Sequence, residues 1–333
     1  MHDILSRFGL TLAQPRHDIC IPGSPERCVT RLVIESVPSE GQRLWLLEQL
    51  APAQADQREI IGMLTARLAK AHVPGVLAFR HTADGTFVLR REDGPWQCSP
   101  FITGEELPRP AYIHDPWRGN AIGTFIAALQ QASAPSAPGI AMSVAENSPV
   151  PPTTTPPLPQ YILDLSRTIS HREPLVYQRL IPVLAHLEPL FALWADIRPA
   201  LAHGDCHPLN IIWGPHAIRG VIDWEFAGAQ NILYDAANAI GCVGIEHPDS
   251  LLRGLVPALV ATLRKTGVLQ DEHLLPLAWT VCALRFAWLS EWLRKRDREM
   301  VELELDYMDI LTEHADRLVS RWREACSTEN GRS

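Results

Sequence analysis

The chain has 333 residues, a length that exceeds one small module and fits one large domain or two lobes. Hydrophobic residues make up 46% of it and charged residues 20%, which excludes a fibrous or wholly disordered protein. The formal net charge is -8, with 30 Lys and Arg against 38 Asp and Glu. This balance argues against a long basic surface, so we expect no nucleic-acid partner.

Seven cysteines are scattered along the chain and form no C-x-x-C pair. This odd set argues against a disulfide framework and a zinc site, and it indicates reduced thiols in a cytoplasmic protein. The amino terminus carries charges and has no signal-peptide core. The longest strongly apolar run, residues 274–284, contains a proline and is too short to span a bilayer, so we expect no membrane partner.

The first hundred residues predict a mixture of helices and strands. Hydrophobic spacing predicts a short helix over residues 4–12 and a longer one over residues 55–71. The predicted strands cover residues 28–36, 43–50, 86–91 and 96–102.

The rest of the chain has the lengths and periods of helices, apart from a β-rich island at residues 210–222. Residues 135–159 hold eight of the 28 prolines and one charge, Glu146. Such a stretch cannot bury enough apolar surface to order itself, so the composition predicts an exposed loop or linker. The order of elements indicates an α+β protein whose small mixed part precedes a large helical part.

One segment, residues 201–225, contains the residue types that phosphoryl transfer needs. A His-Gly-Asp triplet ends in Asp205, Asn210 follows five residues later, and Asp223 ends an apolar strand. A carboxylate must accept or orient the attacking hydroxyl, and an amide oxygen with another carboxylate must hold magnesium against the phosphates. We therefore expect Asp205 to be the catalytic base, and Asn210 and Asp223 to be metal ligands.

Two hydrophobic runs between these metal-ligand candidates predict a β-hairpin. The runs cover residues 211–213 and 217–222, and a Gly-Pro turn joins them. Such a hairpin would return Asp223 to the neighbourhood of Asn210.

The pattern H-G-D-x-H-x-x-N followed by I-D-W-E resembles the aminoglycoside phosphotransferase family, which also includes choline kinase-like and homoserine kinase-like enzymes. Residues 99–104 resemble the family's hinge between lobes, and Y-D-A-A-N at residues 234–238 resembles the helix start after the metal aspartate. The resemblance implies a protein-kinase-like bilobal α+β fold. Its small β-rich lobe would cover residues 1–100, and its larger helical lobe residues 101–333.

The resemblance also implies the activity. The protein would use ATP, or another nucleoside triphosphate, and Mg²⁺ to phosphorylate a hydroxyl of a small, amine-bearing metabolite or aminoglycoside-like compound. Phe101 and Ile102 in the hinge would contact the nucleotide. The partner would be this small-molecule acceptor, and the oligomeric state stays open.

Four further residues are expected to support the site. His203 and His207 are predicted to brace the loop by hydrogen bonds, and Asp235 to cap the helix that follows it. Glu225 is expected either to contact a metal ligand without touching the metal itself, or to be a solvated side chain.

The sequence departs from the family pattern where kinase-like folds place a phosphate-binding lysine on the third strand. The matching stretch, Trp-Leu-Leu-Glu, ends in Glu48, and no lysine precedes Lys70. Glu59 occupies the position of the lysine's usual carboxylate partner, and two facing carboxylates would repel each other, raise a pKa or recruit a cation. We expect Arg27, in the turn before the strand at residues 28–36, to supply the missing positive charge.

Glu48 leaves an alternative function open: a catalytically silent kinase-like protein that binds a nucleotide or a partner without turnover. The intact set of Asp205, Asn210 and Asp223 favours the enzyme. A zinc hydrolase that uses the histidines is a weaker alternative, because no ligand spacing supports it.

Overall fold

The chain forms two compact units in this computed structural model. The first contains Met1–Glu106 and Ile211–Ala227, and the second contains Leu107–Gln130 and residues 156–210 and 228–327. The structure describes residues 1–10, 13–19, 21, 28–39, 42–133 and 156–327. Arg27 and most of the proline-rich segment predicted at residues 135–159 lie outside the described residues.

An antiparallel sheet of five strands forms the core of the first unit. The strands are β1 (Ala13–Pro15), β2 (Cys28–Ser39), β3 (Gln42–Leu50), β4 (Val88–Leu89) and β5 (Trp96–Pro100). Their order across the sheet is β1-β2-β3-β5-β4. The register places Glu48 of β3 between Arg31 of β2 and Gln97 of β5.

Among the described residues of this unit, the α-helices are α1 (His2–Arg7) and α2 (Ala55–Lys70). The helix predicted over residues 4–12 ends at Arg7, because Gly9 adopts a φ of +68° and the N–H of Leu10 donates to the carbonyl of Leu5. This Schellman-type ending turns the chain away from the helix axis. The longer helix differs by one residue from its predicted end.

The predicted hairpin is present as β7 (Ile211–Trp213) and β8 (Ile218–Val221), and it belongs to the first unit. Glu105 bridges to Trp213, and the N–H of Val221 donates to the carbonyl of Gly75. Gly104, in the expected hinge, has no room for a side chain, since a Cβ would lie 2.8 Å from the carbonyl oxygen of Trp213.

The second unit is mainly helical. Its helices are α3 (Pro116–Ala132), α4 (Leu158–Arg172), α5 (Pro174–Leu193), α6 (Tyr234–Glu246), α7 (Leu255–Lys265), α8 (Leu274–Lys295), α9 (Arg298–Glu313) and α10 (Ala315–Ser327). Helix α8 is central, since it contacts α4, α5, α6, α9 and α10. Among the helices that the structure describes, none combines the length and apolarity needed to cross a bilayer.

A two-stranded sheet in the second unit positions the motif loop. Its strands β6 (Pro199–Ala202) and β9 (Gly228–Asn231) pair antiparallel. The chain leaves β6 directly into His203 and leaves β9 almost directly into α6. This pairing therefore brings the loop at residues 203–210 beside the first turn of α6.

Candidate active site

Asp235, the second residue of α6, anchors the motif loop. The side chain is buried, its Oδ2 accepts the N–H of His203 at 2.7 Å, and its Oδ1 accepts that of Gly204 at 3.0 Å. Gly204 has a φ of +83°, a conformation that glycine adopts without strain. The predicted helix cap is wrong, because α6 begins at Tyr234 without a side-chain cap and the carboxylate binds the loop instead.

Side chains from the loop and from α6 surround Asp205. Asn210 Nδ2 donates to the carbonyl oxygen and to Oδ2 of Asp205, both at 2.9 Å. Nε2 of His207 lies 3.5 Å from Oδ2, and Nδ2 of Asn238 donates to Oδ1 at 3.4 Å. These contacts hold the carboxylate in one orientation. Asn238 was not among the predicted site residues, although its spacing of three from Asp235 puts both on one helix face.

The environment of Asp205 favours its charged form. Burial alone raises the pKa of this carboxyl, but the hydrogen bond and charge of His207 lead the effects that outweigh burial and hold the pKa below its usual value. Asp205 is therefore an anion at neutral pH and accepts hydrogen bonds only. A carboxylate in this state can receive and orient a hydroxyl group.

The two histidines of the loop contact its backbone. Nδ1 of His203 accepts the N–H of Asp205 at 3.3 Å, and Nδ1 of His207 accepts the N–H of Leu209 at 3.3 Å. The His203 ring is fully buried and meets Phe125 edge-on, with 6.4 Å between ring centroids. Both rings thus stiffen the loop that carries Asp205.

Asp223 follows β8 in the left-handed backbone conformation, with φ 64° and ψ 58°. Residues other than glycine rarely adopt this conformation, although aspartate tolerates it better than most. Backbone strain of this kind is typical of functional sites. The half-buried carboxylate lies on the wall of a cavity in the first unit.

The residues predicted to bind magnesium fit that ion by their chemistry. Mg²⁺ prefers oxygen ligands, and usually keeps several waters and substrate phosphates beside one or two carboxylates. The amide nitrogen of Asn210 donates a hydrogen bond to Asp205, so the amide oxygen is the atom that could bind a cation. In the part of the chain that the structure describes, no three His, Cys, Asp or Glu side chains form a metal-binding group by themselves.

The cavity in the first unit has a volume of about 590 Å³, a size typical of small-molecule sites. Phe101 and Ile102 of the expected hinge lie on its wall. Other apolar side chains on the wall are Leu46, Leu77, Phe79, Ile212 and Ile222. The charged side chains of described residues on the wall are Arg31, Glu48, Arg58, Asp223 and Glu225.

Glu48 is a buried cavity residue, with 4% of its surface exposed. Arg31, opposite it on β2, donates from Nε to its Oε1 at 2.8 Å. Burial alone would lower the pKa of Arg31, but the charge and hydrogen bond of Glu48 outweigh burial and raise it. Arg31 of the neighbouring strand is therefore the countercharge of Glu48, and the role predicted for Arg27 stays a prediction. Arg31 carries no motif signal, and only the pairing register of β2 and β3 identifies it.

We expected Glu59 and Glu48 to face one site, but Glu59 points elsewhere. Its carboxylate accepts the N–H groups of Phe87 and Val88, the latter at 2.7 Å, and so joins α2 to the start of β4. The preceding residue, Arg58, is the side chain of α2 that reaches the cavity wall.

Arg58 forms an ion pair with Glu225. The Glu225 side chain is only 10% exposed, so it is not a solvated residue. Its established partner is an arginine of α2, an option that the sequence did not suggest.

The chain matches the model of the "Phosphotransferase enzyme family" over residues 40–269. A homoserine kinase from Granulibacter bethesdensis is 27% identical over 135 residues, which span 38% of this chain and 42% of that protein. The match thus covers less than half the length of this curated relative.

Solved structures of the same fold cover nearly the whole chain. An aminoglycoside phosphotransferase from Alicyclobacillus acidocaldarius has a TM-score of 0.62 at 14% identity, over 97% of this chain and 95% of that one. An amicoumacin kinase in complex with AMP-PNP and Ca²⁺ has a TM-score of 0.59 at 13% identity, over 93% and 92%. The predicted protein-kinase-like α+β fold is confirmed. Because the family model covers more than half of its residues, the chain belongs to the phosphotransferase enzyme family.

Proposed function

We propose that the protein transfers a phosphoryl group from a nucleoside triphosphate, with Mg²⁺, to a hydroxyl of a small molecule. The observation that carries this proposal is the anionic carboxylate of Asp205, held by Asn210, His207 and Asn238. Phosphoryl transfer leaves little covalent chemistry to the protein and depends on positioning and charge stabilisation. A carboxylate fixed by several side chains supplies that positioning.

In the proposed mechanism, Asp205 accepts a hydrogen bond from the acceptor hydroxyl and aims its oxygen at the phosphorus atom. Since its pKa is held low, Asp205 is a weak base in the resting enzyme. It therefore takes the proton late, when the forming bond to phosphorus has made the hydroxyl more acidic. Asp235 keeps the loop in place without contacting the reacting atoms.

The cavity of the first unit supports a nucleotide as donor. Its apolar side chains, including Phe101 and Ile102, suit a flat base, and its arginines suit phosphate groups. The amicoumacin kinase of the same fold was solved with AMP-PNP and Ca²⁺. Asp223, on the wall of this cavity, would be a ligand of Mg²⁺, which when bound neutralises phosphate charge and polarises the transferred group.

The proposed acceptor carries a hydroxyl and an amine. Two names support this class: the curated relative is a homoserine kinase, and the structure with TM-score 0.62 is an aminoglycoside phosphotransferase. Acidic side chains on the second unit add little support for an amine-bearing acceptor, because the candidates for attracting an amine already pair with arginines. Such pairs are Glu246 with Arg109, Asp249 with Arg253, and Glu302 and Asp306 with Arg179.

The test is a screen for phosphoryl transfer. The protein with Mg²⁺ and ATP is incubated with homoserine, choline, ethanolamine and a set of aminoglycosides, and phosphorus NMR identifies any phosphorylated product. Asp205→Asn serves as the matched control. Transfer to one acceptor that the control lacks supports the proposal. Nucleotide binding without transfer to any acceptor favours the alternative, a silent relative, which Glu48 alone supports.

A further inference from the structure

The family's phosphate-binding lysine has no counterpart here, and its position holds a carboxylate. Glu48 is a poor phosphate contact, because like charges repel strongly where water is excluded. A nucleotide in this cavity therefore needs positive charge from other residues. Among the residues that the structure describes, the arginines on the cavity wall are Arg31 and Arg58.

Arg31 is the exposed member of its ion pair. The Arg31 side chain is 27% exposed and that of Glu48 is 5% exposed, so the guanidinium is the more accessible group of the pair. The bond from Nε fixes the orientation of the planar guanidinium. A planar guanidinium with a set orientation can bind phosphate through two parallel N–H bonds.

Arg58 supplies a second, independent observation. Its side chain is about nine-tenths buried, and its Nε has no hydrogen-bond partner among the residues that the structure describes. Buried N–H groups are almost always paired, so an unpaired one indicates a missing partner. Glu225 binds Nη2, the terminal nitrogen on the same edge of the guanidinium as Nε, and Nε itself stays unpaired among the described residues.

We propose that Arg31 and Arg58 together hold the phosphates of the nucleotide in place of the lysine, and that Glu48 and Glu225 position them. The inference rests on the proposed nucleotide donor. In this arrangement Glu48 does not block the site but orients the phosphate-binding cation. At the first pair, the guanidinium of Arg31 is more accessible to the phosphates than the carboxylate of Glu48.

The experiment removes each ion pair as a unit. Arg31→Gln alone would leave Glu48 buried and unpaired, which threatens folding. Arg31→Gln with Glu48→Gln removes both charges, as does Arg58→Gln with Glu225→Gln. The matched control is Arg16→Gln with Glu35→Gln, an ion pair between the residue after β1 and a residue of β2 that does not line the cavity.

Calorimetric titration measures the affinity for ATP, with and without Mg²⁺, and for adenosine. We expect each double variant to bind ATP about 10- to 100-fold more weakly in both conditions, the size of one or two charge-assisted hydrogen bonds. Adenosine affinity and the melting temperature should match those of the control. Arg31→Gln with Glu48→Lys should recover ATP affinity, because it moves the positive charge to the lysine position.

Three results would overturn the assignment. ATP affinity equal to wild type in the variant that lacks Arg31 removes that residue from the phosphate site. Equal losses of affinity for ATP and for adenosine indicate a damaged cavity. A loss of ATP affinity seen only with Mg²⁺ indicates an effect on the metal. A wild-type protein that binds no nucleotide rejects the proposed donor itself, and this outcome is visible before any variant is made.

Discussion

Asp205 is half-buried and its pKa is held low, so its proposed role depends on charge as much as on shape. Asp205→Asn keeps the size of the side chain but replaces one acceptor oxygen with a donor. We expect kcat to fall by about 10²- to 10⁴-fold, the usual contribution of a general base. The affinity for nucleotide should stay unchanged, because the cavity of the first unit does not include this residue.

Steady-state kinetics and nucleotide titration check this prediction together. Asp249→Asn is the control, since this carboxylate is exposed and pairs with Arg253 on the surface of the same unit. A variant that phosphorylates its acceptor at the wild-type rate would show that Asp205 is not the catalytic residue.

The magnesium-binding role proposed for Asp223 also depends on the charge of its carboxylate. As a magnesium ligand, Asp223 would hold the ion that neutralises the charge of the phosphates. We therefore expect Asp223→Ala to abolish the gain in nucleotide affinity that Mg²⁺ produces. Titrations with and without Mg²⁺ measure that gain, and Asp18→Ala, an exposed carboxylate of the same unit, is the control. A gain that persists in Asp223→Ala places the metal site elsewhere.

At the scale of elements, Asp235 joins α6 to the loop after β6, and this contact is sensitive to pH. Burial raises the pKa of Asp235 to about 6, from an ordinary value of 3.8. At pH values between these two pKa values, Asp235 is protonated in the folded protein and ionised in the unfolded chain. This carboxyl therefore makes the free energy of unfolding decrease as pH rises from about 4 to 6.

Urea unfolding at pH 4.5 and pH 6.5 measures this effect. Asp235→Asn has no proton to lose, so we expect the stability of wild type relative to this variant to decrease by about 1–3 kcal/mol across that range. Other titrating groups cancel in the comparison because both proteins contain them. A difference between the two proteins that stays constant with pH would contradict the prediction.

The residues predicted from the sequence differ in how far local pattern could identify them. Helix α2 and the hairpin of β7 and β8 follow from periodicity and turn residues, which act over a few positions. Arg58 and Glu59 are adjacent on α2, about 100° apart around the helix, and periodicity alone did not choose between them. The packing of α2 on the sheet turned Arg58 to the cavity and Glu59 to the backbone of β4.

At the scale of the whole molecule, the second unit depends on a central helix that contains a buried charge. Arg285 of α8 donates from Nε to Glu304 of α9 at 2.9 Å, and the two side chains are 3% and 1% exposed. Trp292 adds a hydrogen bond to the same carboxylate at 3.3 Å. Such a pair joins two helices but gains little net energy, because both charges were removed from water.

Breaking this pair from one side should be costly. Glu304→Gln leaves the Arg285 charge buried without a counterion, so we expect the free energy of unfolding to fall by about 3–5 kcal/mol. The control, Glu173→Gln, breaks the exposed pair with Arg298 and should cost at most about 1 kcal/mol. Urea unfolding followed by tryptophan fluorescence compares them, and equal losses would mean that burial of the pair has no energetic consequence.

The sequence by itself determined the family and the order of the main elements, because motif spacing and hydrophobic period are properties of neighbouring residues. The partners of the charged side chains were decided by the tertiary structure. Asp235 meets the loop at His203, 32 positions away, only because β6 pairs with β9. Arg31 meets Glu48 through a register that changes between Glu35 and Ser39, and no short-range pattern encodes that change. Electrostatic partners are selected by distance in space, so they become known only when the strands and helices are placed.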